Sequence, residues 1–126
     1  MFFIDDELTI HITRGDTAAF SVGAKAGEVD YELKVGDIVR FKVFAKKNCD
    51  NVVLQKDVEV AETTNTVRVV LDGEDTTIGE VISKPTDYWY EVELNPETAP
   101  QTIIGYDDNG AKVLKLYPEG GEANGH

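Results

Sequence analysis

The chain has 126 residues, 41% hydrophobic and 29% charged, which fits one globular domain with a sizeable core and leaves no room for a second. Its 24 Asp and Glu against 12 Lys and Arg give a net charge of −12, so phosphate-rich nucleic acid and anionic membrane surfaces are not expected as partners. No apolar run approaches the roughly 20 residues that span a bilayer, and one cysteine with two histidines offers neither an intramolecular disulfide nor a zinc set.

The N-terminus, Met1-Phe2-Phe3-Ile4-Asp5-Asp6-Glu7, opens apolar and turns acidic at once, without the basic leader and longer apolar stretch of a secretory signal, so export by that route is not expected. Phe2 and Phe3 are candidate interface residues, because an apolar strand here either adds to a neighbour's sheet edge or completes its own. From Leu8 to Val22 two alternating runs flank Arg14-Gly15-Asp16. Leu8, Ile10 and Ile12 share one face and Ala18, Phe20 and Val22 its counterpart, which predicts a β-hairpin with Gly15 at the positive φ of its turn. The same tripeptide serves in cell adhesion, but Gly and Asp are ordinary turn chemistry and the turn reading is preferred.

Gly23 to Asp30 is small and polar and reads as a loop, followed by a brief alternation from Tyr31 to Val35. Ile38 to Phe44 predicts a half-buried strand, with Val39, Phe41 and Val43 opposite Arg40 and Lys42. After a turn-rich connection, Val52 to Val60 predicts another, in which Lys56 interrupts the apolar face and marks a bulge or a strand end. Thr66 to Leu71 adds a strand through Val67, Val69 and Leu71. The segment Asp72 to Gly79 has room for one short helical turn, capped by Asp75 or Thr76 and ended by Gly79.

Asp87 to Leu94, D-Y-W-Y-E-V-E-L, carries the clearest alternation: Tyr88, Tyr90, Val92 and Leu94 on the core side, Trp89, Glu91 and Glu93 on the other. Trp89 is therefore a candidate interface residue, either half-covered on a central strand or an anchor for a protein or a sugar. A loop at 95–100, a strand over Gln101 to Tyr106, a turn at Asp107-Asp108-Asn109-Gly110 and a last strand over Ala111 to Tyr117 complete the pattern. Residues 1–118 are read as a single domain and 119–126, glycine-rich and polar, as a flexible tail.

Eight or so short strands at about ten-residue spacing define an all-β class, an antiparallel immunoglobulin-like β-sandwich with a small β-barrel as the alternative. The two acidic turns at 72–75 and 107–110 lack the ordered spacing of a calcium loop and read as structural turns, so no metal and no cofactor is expected. Catalysis would need a nucleophile with its base, paired carboxylates or a phosphate-cradling loop. His11 sits between two isoleucines, His126 ends the chain and Cys49 lies in a loop beside Lys47 and Asp50. No catalytic residues are assigned, and the protein is not expected to be an enzyme.

Three segments carry a family likeness: Leu8 to Val22 with its T-R-G-D-T core, Tyr31 to Val43 (Y-E-L-K-V-G-D-I-V-R-F-K-V), and the stretch from Asp87 with D-Y-W-Y-E-V-E-L, Q-T-I-I-G and K-L-Y-P-E-G-G. Together they resemble the small immunoglobulin-like domains in structural modules of phages and prophages of Gram-positive gut bacteria, similar to the N-terminal domain of phage baseplate upper proteins. The resemblance implies a virion building block of the tail, baseplate or head surface, assembled in the bacterial host cytoplasm. Its partners would be other virion proteins or further copies of itself, with no enzymatic residues to carry over. Unlike longer members, this chain ends soon after the sandwich, so an accessory or decoration subunit fits as well as a baseplate part. The competing reading is a carbohydrate-binding or adhesive module in which Trp89 and nearby tyrosines stack on sugar rings.

Overall fold

The computed structural model describes residues 1–26, 29–48, 50–107 and 110–119. Cys49, the Asp108-Asn109 tip of the expected turn and the tail beyond Glu119 lie outside the described residues. The described chain is all-β, with strands β1 (Phe2–Ile4), β2 (Ile10–Thr13), β3 (Ala18–Val22), β4 (Ala24–Ala26), β5 (Val29–Tyr31), β6 (Ile38–Lys46), β7 (Asp50–Glu59), β8 (Val67–Leu71), β9 (Thr86–Leu94), β10 (Gln101–Ile104) and β11 (Lys112–Tyr117). Seven of them form one sheet in the order β1-β2-β11-β9-β6-β7, with β10 continuing along β9. β3 pairs with β8, and β4 with β5, as two separate two-stranded sheets.

The sheets stay open rather than closing into a barrel, and the large one is mixed: β2 runs parallel to β11, Ile10 opposite Leu114 and Ile12 opposite Leu116. The expectation of a wholly antiparallel sheet is corrected there. Every other pair is antiparallel. Alternation decides which face is buried. Tyr88, Tyr90, Val92 and Leu94 of β9, with Val39, Phe41 and Val43 of β6, lie inward against Val67, Val69 and Leu71 of β8. Phe20 of β3 meets the ring of Phe41 edge-on at 5.5 Å, joining the two layers.

The hairpin expected from Leu8 to Val22 does not form. β2 pairs with β1 and β11, whereas β3 crosses to the other layer and pairs with β8. Strands paired side by side would turn their apolar faces the same way; strands in opposite layers bury them against each other. What holds the crossing is Arg14, a buried side chain whose Nε and Nη2 donate to the carbonyls of Ile78 and Gly79 at 3.3 and 3.1 Å. Gly15 does take a positive φ, +89°, and its N–H donates to Thr76 Oγ1, which in turn donates to the carbonyl of Asp16. The turn is therefore bolted to the 72–79 segment, and the arginine of the adhesion-like tripeptide faces inward. Leu8 also departs from its expected place. It precedes β2 at φ +65°, exposed, and its carbonyl accepts from the Tyr90 hydroxyl at 2.5 Å.

Smaller differences have local causes. The 72–79 segment makes the one short helical turn expected of it at 72–76, closed by the Thr76 N–H donating to the Asp72 carbonyl at 3.3 Å, but the cap differs. Its cap is Asp72, whose carboxylate accepts from the Asp75 N–H while Asp75 accepts from the Asp72 N–H, both at 2.9 Å. The bulge expected at Lys56 falls instead at Val53, where the β6–β7 register slips between Val43 and Phe44. Lys56 stays in register opposite Phe41, and on this edge strand its ammonium reaches Asp75 at 3.0 Å. The segment 23–30, read as a loop, contains β4 and joins β5, with Ala24 opposite Tyr31. β10 is shorter than expected, ending at Ile104 after a register slip.

Candidate interaction face

The outer face of the seven-stranded sheet is the side the core does not use, and its register sets out its chemistry in rows. Val113 of β11, Trp89 of β9, Phe44 of β6 and Val52 of β7 stand side by side as an apolar row across four strands. One step along the strands comes Glu91 beside Lys42 and Gln55, and the next brings Glu93 beside Arg40 and Asp57. In the other direction Asp87 faces Lys115, which adjoins His11 and then Phe3.

Trp89 is half-buried in the apolar row. Its neighbour Phe44 is only 3% exposed although it lies outside the core cluster, with the Lys42 ammonium 5.6 Å from its ring centroid. Sequence reading assigned Phe44 no role. The signal was present: Phe44 breaks the run of Arg40, Lys42 and Lys46 on its side of β6, as Trp89 breaks that of Asp87, Glu91 and Glu93 on β9, and pairing the two strands brings these exceptions together.

The charged rows are already paired within the chain. Arg40 donates to both oxygens of Asp57 at 2.8 and 3.0 Å and reaches Glu97 at 3.4 Å. The Asp57 hydrogen bonds raise the Arg40 pKa, and the guanidinium in turn holds Asp57 below the ordinary carboxylate range. Burial works against the charge on Lys42, but the carboxylates of Glu93 and Glu91, at 2.6 and 3.4 Å, overcome it and raise the pKa above the usual lysine value. The Lys42–Glu93 contact is a close charge pair off the angle of a hydrogen bond, and Glu93 Oε1 has no hydrogen-bond donor among the described residues. These pairs hold four long side chains in place, so a partner would meet a face already ordered.

The two N-terminal candidates part company. Phe2 turns inward, half-buried, with its ring 6.2 Å from that of Phe20. Phe3 is 48% exposed on the outer face at the sheet edge, stacked on His11 at 4.2 Å with the planes 8° apart. β1 thus completes the chain's own sheet. His11 Nε2 lies 2.9 Å from Asp5 Oδ2 and Nδ1 2.8 Å from the Tyr117 hydroxyl; in the neutral ring the Nε2 proton goes to Asp5 and Nδ1 accepts from Tyr117. The histidine, helped by the Thr9 and Glu7 N–H groups, lowers the Asp5 pKa. The arrangement fastens the β1–β2 connection to β11. Phe3 and Trp89 share a face but not a row.

A cleft of about 700 Å³ opens between the β4–β5 hairpin and the β9–β10 end, lined chiefly by Tyr31, Leu94, Asn95, Gln101, Thr102 and Ile103. The Asn95 amide is committed, accepting from the Ile38 N–H at 2.9 Å and donating to Asp37 at 3.2 Å. Among the described residues no three His, Cys, Asp or Glu side chains gather as a metal site requires. No protein-family model, curated protein or solved structure matches this chain.

Proposed function

We propose that this chain is a non-enzymatic immunoglobulin-like domain that serves as a structural protein of a phage or prophage particle, in its tail, baseplate or head surface, and works through protein–protein contacts of its outer sheet face. The observation that carries the reading is the row Val113–Trp89–Phe44–Val52, an aromatic centre on the sheet face opposite the core. Large aromatics flanked by charges already fixed in pairs are the composition of a binding hot spot with its rim. The immunoglobulin-like assignment is supported by strand order: β2-β11-β9-β6-β7 over β3-β8 corresponds to an extended GFC sheet facing strands B and E. The likeness of its segments to phage structural domains is what supports a particle component, assembled in the host cytoplasm.

The test is to induce the prophage, purify particles by density gradient and look for the chain by mass spectrometry. It is expected in stoichiometric amounts, reduced by Trp89→Ala; intact, infectious particles free of it would refute the assignment. The sugar-binding reading keeps one observation in its favour, the cleft whose described lining is uncharged and where Tyr31 lies among Gln101 and Thr102. Polysaccharide binding lost on Tyr31→Ala, with particle assembly untouched, would put that reading first.

A further inference from the structure

The reading above gives the outer face a protein partner; resting on it, we infer that this partner is a second copy of the chain, packed face to face about a two-fold axis that runs along the strands between β6 and β9. Such an axis exchanges the two central strands, so that β6 of one copy lies over β9 of the other at the same level. Phe44 then meets Trp89, Lys42 meets Glu91, and Arg40 meets Glu93, while in the flanking strands Val52 meets Val113. Continuing the β6–β9 register by two residues sets Lys46 over Asp87. Every basic residue of one column finds an acidic residue in the other, at rows about 6.8 Å apart.

The alternative two-fold, across the strands through the apolar row, fails on the same residues. It would set Glu91 over Asp87 and Lys42 over Lys46, like charge on like. Charge also selects this face over the rest of the surface. The two columns hold three basic residues (Arg40, Lys42, Lys46) and three acidic ones (Asp87, Glu91, Glu93), a net of zero, on a chain whose net charge is −12. Two copies repel each other over most approaches and least here. Aligned sheet packing lets strand directions diverge by about 30°, which the long Lys and Arg side chains at the outer rows span.

Four strands overlap in this arrangement, β11, β9, β6 and β7; at about 4.8 Å spacing, with four rows about 6.8 Å apart along them, they give a footprint of roughly 500–600 Å² per copy. That is below the roughly 800 Å² per partner of a standard interface, so the isolated dimer is expected to exchange in the micromolar range.

The test is sedimentation velocity of the full chain from about 10 μM to about 1 mM, the span over which an interface of this size associates. Lys42→Glu alone places Glu over Glu91 of its twin, and Glu91→Lys alone places Lys over Lys42; each is expected to weaken association at least about tenfold, one charge contact's worth. A one-to-one mixture of the two restores opposite charges at both contacts and is expected to sediment as the wild type does. Circular dichroism checks that each variant is folded; should Lys42→Glu fail to fold, Val52→Lys, on a side chain 50% exposed, carries the same test. A wild type that stays monomeric throughout overturns the inference. So does a dimer indifferent to Val52→Lys, or a mixture that does not recover. A monomeric chain still built into particles would sink the dimer and leave the proposed function standing; a dimer absent from particles would do the reverse.

Discussion

Phe44→Ala probes the candidate face most directly, because Phe44 is buried without belonging to the core. A phenylalanine cut to alanine between two packed layers costs about 3–5 kcal/mol, part of it for the enclosed cavity left behind. Phe41, fully buried where the layers meet, is the internal standard for that case. Phe44 has neighbours on its own sheet, Trp89 and Val52 in register and Lys42 over its ring, on the face opposite the core. Water can refill the space it leaves, so the loss reduces to transfer of the side chain, about 2 kcal/mol. Urea unfolding followed by circular dichroism should give that loss with an unchanged slope. Trp89 is the chain's single tryptophan, so its emission reads the same site and should shift to the red as its neighbour disappears. A loss below about 1 kcal/mol with unchanged emission would refute the mutual cover of Phe44 and Trp89, and one equal to that of Phe41→Ala would refute the single-layer argument.

Arg14→Ala leaves the carbonyls of Ile78 and Gly79 without their charged donor and should cost about 2–4 kcal/mol in the same assay; wild-type stability would mean that the crossing from β2 to β3 is held by other contacts. Acid should destabilise the domain in a defined window. The pKa values of Asp57 and Asp5 are lowered in the fold, so their contribution is complete above the unfolded value near 4 and disappears as pH falls below it through the folded values. Asp57→Asn should therefore lose less stability between about pH 5 and pH 2 than the wild type, and identical acid profiles would show that the Arg40 pair contributes nothing.

Strand faces were legible because period-two alternation is a local property. Val39, Phe41, Val43, Val67, Val69, Leu71 and the four core residues of β9 all point as the pattern requires. Pairing was not legible, because it depends on contacts far apart in the chain. Nothing between Leu8 and Val22 distinguishes two strands of a hairpin from two strands in opposite layers. The deciding contacts, Arg14 to Ile78 and Gly79 and Gly15 to Thr76, span more than sixty residues. The parallel run of β2 beside β11 is hidden for the same reason: it joins the first third of the chain to its last strand.

The site divides along the same line. Trp89 stood out because one strand's alternation turns it away from the core, and Phe3 because it opens the chain; each can be read in a window of a few residues. Their surroundings cannot. That Trp89 has Phe44 on one side and Val113 on the other follows from two antiparallel registers, β6 with β9 and β9 with β11, and a slip of one residue in either would turn the neighbouring strand's other face toward it. The bulge at Val53 has the same kind of consequence. It shifts β7 by one residue beyond Leu54, so that Val52, instead of Val53, comes level with Phe44 and ends the apolar row. An interaction face on a sheet is thus a product of register, and the residues that fix it here include the inward-facing Val43 and Leu54, which take no part in the face.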